Sequence, residues 1–260
     1  MKKLLIFISL LLTMAFGVIY PLFIKAQNNA HKARGINNLK SMGIALGEFE
    51  NHYGQYPQPE IPELLREAYP QTDRLDSNYV LGQVIVADAT DSEKLFDAFL
   101  SKGPGADDDI SLFSEILRPG ECAYIYVSGA GGEAFKAATT LGAVPLLISP
   151  ADPNGKRVDL TAYLGEYLCL RSDRSVGTGL VSPEGVPLLK NGKSLFDYGP
   201  DTVWGDKKPR VHDPLPYERK SDRHQFLLSY LRWPCILIPL GLMIYRISQW
   251  RIAPLNRAKE

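Results

Sequence analysis

Cysteine is scarce in this chain. Cys122, Cys169 and Cys235 are the three in 260 residues, which excludes a disulfide-built scaffold, and none stands in Cys-x-x-Cys spacing. Cys235 lies in an apolar stretch, so the one disulfide the sequence admits joins Cys122 to Cys169. Two buried free thiols are the alternative. Histidine is as sparse: His31, His52, His212 and His224 share no metal-ligand spacing, and each reads as a solvated stalk or linker residue. Net charge is absent, with 29 basic residues against 29 acidic, so the chain lacks the field of a nucleic-acid binder. No acidic residue occurs before Glu48.

The N-terminal region has apolar length instead. Leu4 to Ile24 carries no charge, with Lys2 and Lys3 before it and Lys25 after it. About 20 helical residues cross a bilayer core, so this run is long enough to span one. It exceeds the apolar region of a cleaved signal peptide, and Ile24-Lys25-Ala26 is a poor cleavage site. A retained anchor is expected. Beyond it, apolar residues recur at Ala26, Ala30, Ala33, Ile36, Leu39, Met42, Leu46, Phe49 and Tyr53. Steps of three and four read as one helical stripe. Gly35, Gly43 and Gly47 interrupt it, each costing about 1 kcal/mol relative to Ala, so the helix needs a packed surface to persist. Gly54 and Pro57 end it.

The Pro-rich segment from Tyr56 to Pro62 reads as a loop. Short helical patterns follow at Glu63–Ala68, Asn78–Ala87 and Ser92–Leu100, and the Val- and Ile-rich second of these is equally readable as a strand. Gly103 to Asp109 is a loop. From Cys122 the texture turns to β. Cys122–Val127 alternates Ala123, Ile125 and Val127 against Cys122, Tyr124 and Tyr126, which suits a half-buried strand. Val144–Ile148 is a short apolar strand, and Tyr167–Arg171 with Val176–Val181 flank a hairpin turn at Ser172–Ser175. The Gly-, Pro- and charge-rich stretch from Asn191 to Lys220 reads as tail or linker. Phe226–Tyr245 is a second membrane candidate, bounded by Arg232 and Arg246, with a surface-lying amphipathic helix as the alternative.

Constellations for chemistry are thin. Ser128-Gly129-Ala130-Gly131-Gly132 follows a strand but has no Lys-Ser/Thr and only half a dinucleotide fingerprint. Asp107-Asp108-Asp109, and Asp152 with Asn154 and Gly155, make calcium the one cation the composition admits, although Pro153 and the missing distal Glu exclude an EF-hand. No nucleophile–base pair emerges from spacing, so no catalytic residue is assigned and no enzyme is expected.

One ordered series of residues does resemble a family. Pro21-Leu22-Phe23-Ile24-Lys25-Ala26, Ala30, Ala33-Arg34, Asn37-Asn38-Leu39-Lys40, Met42-Gly43-Ile44-Ala45-Leu46 and Tyr53-Gly54-Gln55-Tyr56-Pro57 resemble the N-terminal helix of type IV pilins and type II secretion pseudopilins. Gly165–Val176 is similar to the late hairpin of such heads. The resemblance implies an α+β fold, with a long N-terminal membrane-spanning helix packed on a small antiparallel β-sheet head. To this the sequence adds a C-terminal membrane helix, which the family normally lacks. The family's processing site, a Gly before Phe-Thr-Leu-x-Glu, has no counterpart here, and its intramembrane Glu is missing.

The expected organisation is an anchor and stalk over 1–57, a head over 58–200, a linker over 201–224, a membrane helix over 225–250 and a basic tail over 251–260. The implied partners are the membrane and other pilin-like subunits or secretion-system components, with self-association included and nucleic acid excluded. The resemblance places the head outside the cytoplasmic membrane and both termini inside. Partner-helix contact is expected through Ala26, Ala30, Ala33, Ile36 and Leu39, where small residues permit close backbone approach, while the upper stripe from Leu39 to Tyr53 is expected to pack within the protein. The other function class in play is a membrane-tethered sensor or binding module.

Overall fold

A computed structural model describes residues 20–69, 72–87, 117–129, 143–152, 157–160, 163, 165–217, 241 and 244. The chain divides into two compact units: Asn28–Lys220, and Met1–Gln27 together with Ser221–Glu260. Of the latter, only the first turns of one helix, Gly241 and Ile244 are described. Among the described residues no helix is long and apolar enough to cross a membrane. The apolar runs Leu4–Ile24 and Phe226–Tyr245 fall mostly outside those residues, as do Ser92–Leu100 and Gly103–Asp109.

Helix α1 runs Tyr20–Tyr53 and closes at Gly54, whose φ of 74° suits a residue without Cβ and whose N–H donates to Glu50 O at 2.7 Å. A 3-10 turn at Glu63–Leu65 occupies the first of the short helical patterns. The Val- and Ile-rich segment is a helix, α2, Ser77–Val86. Its start is set by Asp76, whose carboxylate accepts from Tyr79 N at 3.0 Å. Residues Ser77 to Ile85 are all buried, so α2 lacks the polar face of a surface helix.

Among the described residues five strands follow: β1 Ile125–Ser128, β2 Pro145–Ser149, β3 Glu166–Arg171, β4 Val176–Leu180 and β5 Arg210–His212. They form one antiparallel sheet in the order β4-β3-β2-β1-β5. The first four make a meander, and β5 returns to pair with β1 in the register Tyr126↔His212, Val127↔Val211, Ser128↔Arg210. The fold is thus α+β, and the strand the sequence pattern does not mark is β5, while Val186–Leu189, after the turn at Pro183–Gly185, makes only isolated bridges.

Alternation along the strands sends side chains to two cores. Tyr124, Tyr126, Leu168 and Leu170 join Leu39, Met42, Leu46 and Phe49 of α1 and most of α2 on one face. Ile125, Val127, Ile148, Tyr167 and Cys169 join Leu195 and Trp204 on the other. Leu146 and Leu147 both enter the first core because the β2–β3 register shifts between Pro145 and Leu147, as a bulge does. The strand expected to be half-buried is buried on both faces.

The second core corrects the expected linker at 201–224. Trp204 is 3% exposed and its indole N–H donates to Leu195 O at 2.7 Å. Asp213 O accepts from Ser77 N and Leu215 N donates to Asn78 Oδ1, each at 2.9 Å. Residues 201–217 belong to the head. Gly, Pro and charge mark the turns between these contacts, and turn composition masks a segment whose few large apolar residues are all used.

Candidate functional site

Helix α1 has two faces of different use. The inner face carries Gly35, Leu39, Met42, Gly43, Leu46 and Phe49, all buried. The glycines let the helix lie close on the head. A Cβ on Gly35 would stand 2.5 Å from Tyr163 Oη and 2.7 Å from Leu168 Cδ1, and one on Gly43 would stand 3.1 Å from Leu170 Cδ1. Their propensity cost is therefore the condition for packing rather than a defect. Lower on the same side, Lys32 pairs with Glu166 at the start of β3. Both side chains are about a third exposed, so the pair adds little stability and mainly sets helix position.

The outer face holds the residues expected to meet partners. Ala26, Ala30 and Ala33 are exposed, and at 3.6 residues per turn they fall opposite the line of Gly35, Leu39, Met42 and Leu46. Ile44, 60% exposed, continues that outer line. Ile36 is half-buried and packs against the head core. Leu39 is 0% exposed, so of its two expected roles the structure shows the intramolecular one: it packs with the upper stripe inside this protein's own core. The apolar stripe from Ala26 to Tyr53 is two surfaces because its steps average under 3.6 residues. It drifts round the helix by about 20° per step and changes sides near Ile36.

A second constellation was invisible in the sequence. His212, read as a solvated linker residue, is 3% exposed. Its Nδ1 lies 2.6 Å from Leu75 O and its Nε2 lies 2.7 Å from Ser128 Oγ. This is the contact geometry of a nucleophile and base. Yet Ser128 is itself 1% exposed, so among the described residues the pair is a buried strut between β1 and β5. The 84 residues between Ser128 and His212 leave no local spacing by which to find it.

Other expected groups separate. Cys122 and Cys169 are both buried thiols outside any disulfide, and they sit in different cores on opposite faces of the sheet, so of the two readings the sequence admits the structure shows the pair of buried thiols. Burial pushes the Cys169 thiol up to about 12, which leaves it protonated and unreactive. Asp107, Asp108, Asp109, Asn154 and Gly155 lie outside the described residues, and Asp152 is half-buried. Among the described residues no group of three or more His, Cys, Asp or Glu is placed to hold a metal ion. A groove of about 440 Å³ opens in the segment after β4, lined by Lys193, Phe196, Tyr198, Gly199, Asp201 and Lys208. Comparisons with protein-family models, with curated proteins and with solved structures find no match to this chain.

Proposed function

We propose that this chain is a membrane-anchored, pilin-like protein of a bacterial envelope that acts by helix-mediated assembly in a type II secretion or pilus-type system. The observation that supports this reading most directly is the division of α1. Its inner face is consumed by the head, while Ala26, Ala30 and Ala33 stay exposed on the opposite side. Small side chains along one line let a second helix approach closely. A helix whose far side is already packed can be held in register for such a contact. The proposal includes an anchor at Leu4–Ile24, a second membrane helix at Phe226–Tyr245 and a head outside the cytoplasmic membrane. It assigns no catalytic residue and no cofactor.

The test is co-purification from membranes. Replacing Ala26, Ala30 and Ala33 together by Gln should remove partner subunits while the head keeps its circular dichroism and melting temperature. Partners retained at wild-type yield with all three changed would overturn the assembly role.

The groove at Lys193–Lys208 favours the second reading, a tethered binding module. Its lining offers two aromatic rings, Phe196 and Tyr198, beside charges of both signs, a more polar surface than the mainly apolar lining of most small-molecule sites. A ligand that raises the melting temperature of the wild type, and fails to do so after Tyr198→Ala, would support that reading over assembly.

A further inference from the structure

The partners of His212 settle its tautomer. Leu75 O can only accept, so Nδ1 carries the proton, and Nε2 is the bare nitrogen to which Ser128 donates. The ring also stacks on Tyr126, with centroids 5.8 Å apart. One bond ties β5 to β1 and the other ties β5 to the loop before α2. With only three residues, at the edge of the sheet, β5 has few other ladder bonds to hold it.

The groups facing the imidazole come from every neighbouring element. Tyr126 lies on β1, Arg210 on β5 itself, Glu60 on the loop after α1 and Asp76 at the start of α2; Asp213 follows His212 in the chain. Neither Glu60 nor Asp76 is uncommitted. Arg210 takes the Glu60 carboxylate at 3.0 Å. Arg74 takes Asp76 at 2.9 Å, and Asp76 also caps α2. Burial is the dominant influence and lowers the His212 pKa. The bond to Leu75 O raises it, the Arg210 charge lowers it, and Glu60 and Asp76 raise it.

We propose that His212 is a proton-operated latch that holds β5 on the head. Protonation turns Nε2 from acceptor to donor, so the contact with Ser128 reverses, the buried hydroxyl needs a new acceptor for its own proton, and a charge is placed in a buried ring. The neutral ring's contribution is whole above the unfolded histidine pKa, about 6.5. It is lost as pH falls through that value towards the lowered folded one, because the unfolded chain then binds the extra proton. The inference does not rest on the assembly reading.

Amide hydrogen exchange tests it on the full chain in detergent micelles at pH 7.5 and 5.0, corrected for intrinsic exchange. Arg210–His212 should lose at least several-fold of its protection relative to Glu166–Arg171 on acidification. A variant carrying His31→Gln, His52→Gln and His224→Gln should keep that loss, and His212→Gln should abolish it. Protection of β5 that tracks β3 at both pH values overturns the latch. So does a loss that persists in His212→Gln or is absent from the triple variant, and the triple variant decides the matter if His212→Gln does not fold.

Discussion

Gly35 lies so close under Tyr163 that a Cβ on it would stand 2.5 Å from the phenol oxygen. Tyr163 is 3% exposed and its backbone sits at a φ of 45°, so it has little room to withdraw. Gly35→Ala gains about 1 kcal/mol of helix propensity and meets about 1–3 kcal/mol of overpacking. The net should be a destabilisation of about 1 kcal/mol in denaturant unfolding. Helix propensity alone predicts the opposite sign, so a stabilised variant would show that α1 does not press on the head at this point.

The spacing of Leu39, Met42, Leu46 and Phe49 shows in the sequence, and so does the need of three glycines for a packed surface. The division of the stripe into a lower and an upper part shows too, but not the rotation behind it, because a stripe of threes and fours looks continuous until the small mismatch with 3.6 is accumulated. Strands β1 to β4 are legible from alternation and turn residues. Strand β5 is too short to alternate, and the charged and polar residues of Arg210-Val211-His212 resemble any loop. The Ser128–His212 pair depends on a strand returning to the far edge of the sheet. No local pattern encodes that return.

Asp76 joins two roles. Its carboxylate caps α2 through Tyr79 N and pairs with Arg74 through two bonds of 2.9 Å. The Arg74 guanidinium in turn lies 5.7 Å from the centre of the Tyr79 ring. Asp76→Ala should cost about 1–2 kcal/mol, mostly from the cap. Asp76→Asn keeps the cap and loses the ion pair, so it should cost under about 1 kcal/mol. Equal losses in the two variants, measured by urea unfolding, would assign the effect to the ion pair instead.

The thiols of Cys122 and Cys169 should be silent in the folded protein. Both are buried and outside any disulfide, and Cys169 is held protonated by desolvation, with a pKa raised to about 12. A thiol reagent applied at pH 8 should label neither without denaturant and both in 6 M guanidinium, read by peptide mass. Oxidation should leave the two unbonded to each other, since the sheet stands between them.

Trp204 carries the last argument, because it decides whether residues after 200 are part of the head. The indole is 3% exposed among Ile125, Val127, Ile148, Cys169 and Leu195, and its N–H reaches Leu195 O at 2.7 Å. A residue in a solvated linker would tolerate any replacement. Removing a packed indole costs about 3–5 kcal/mol, while Trp204→Phe keeps most of the contact area and forfeits one buried hydrogen bond, about 1–3 kcal/mol because Leu195 O is left without its donor. The two variants should therefore separate in urea midpoint, with Trp204→Ala far below Trp204→Phe. The native fluorescence of Trp204, measured with Trp233 and Trp250 replaced by Phe, should be blue-shifted and resistant to acrylamide quenching. A red-shifted, freely quenched signal together with a neutral Trp204→Ala would return the segment to the status of a linker and leave the second face of the sheet without its cover.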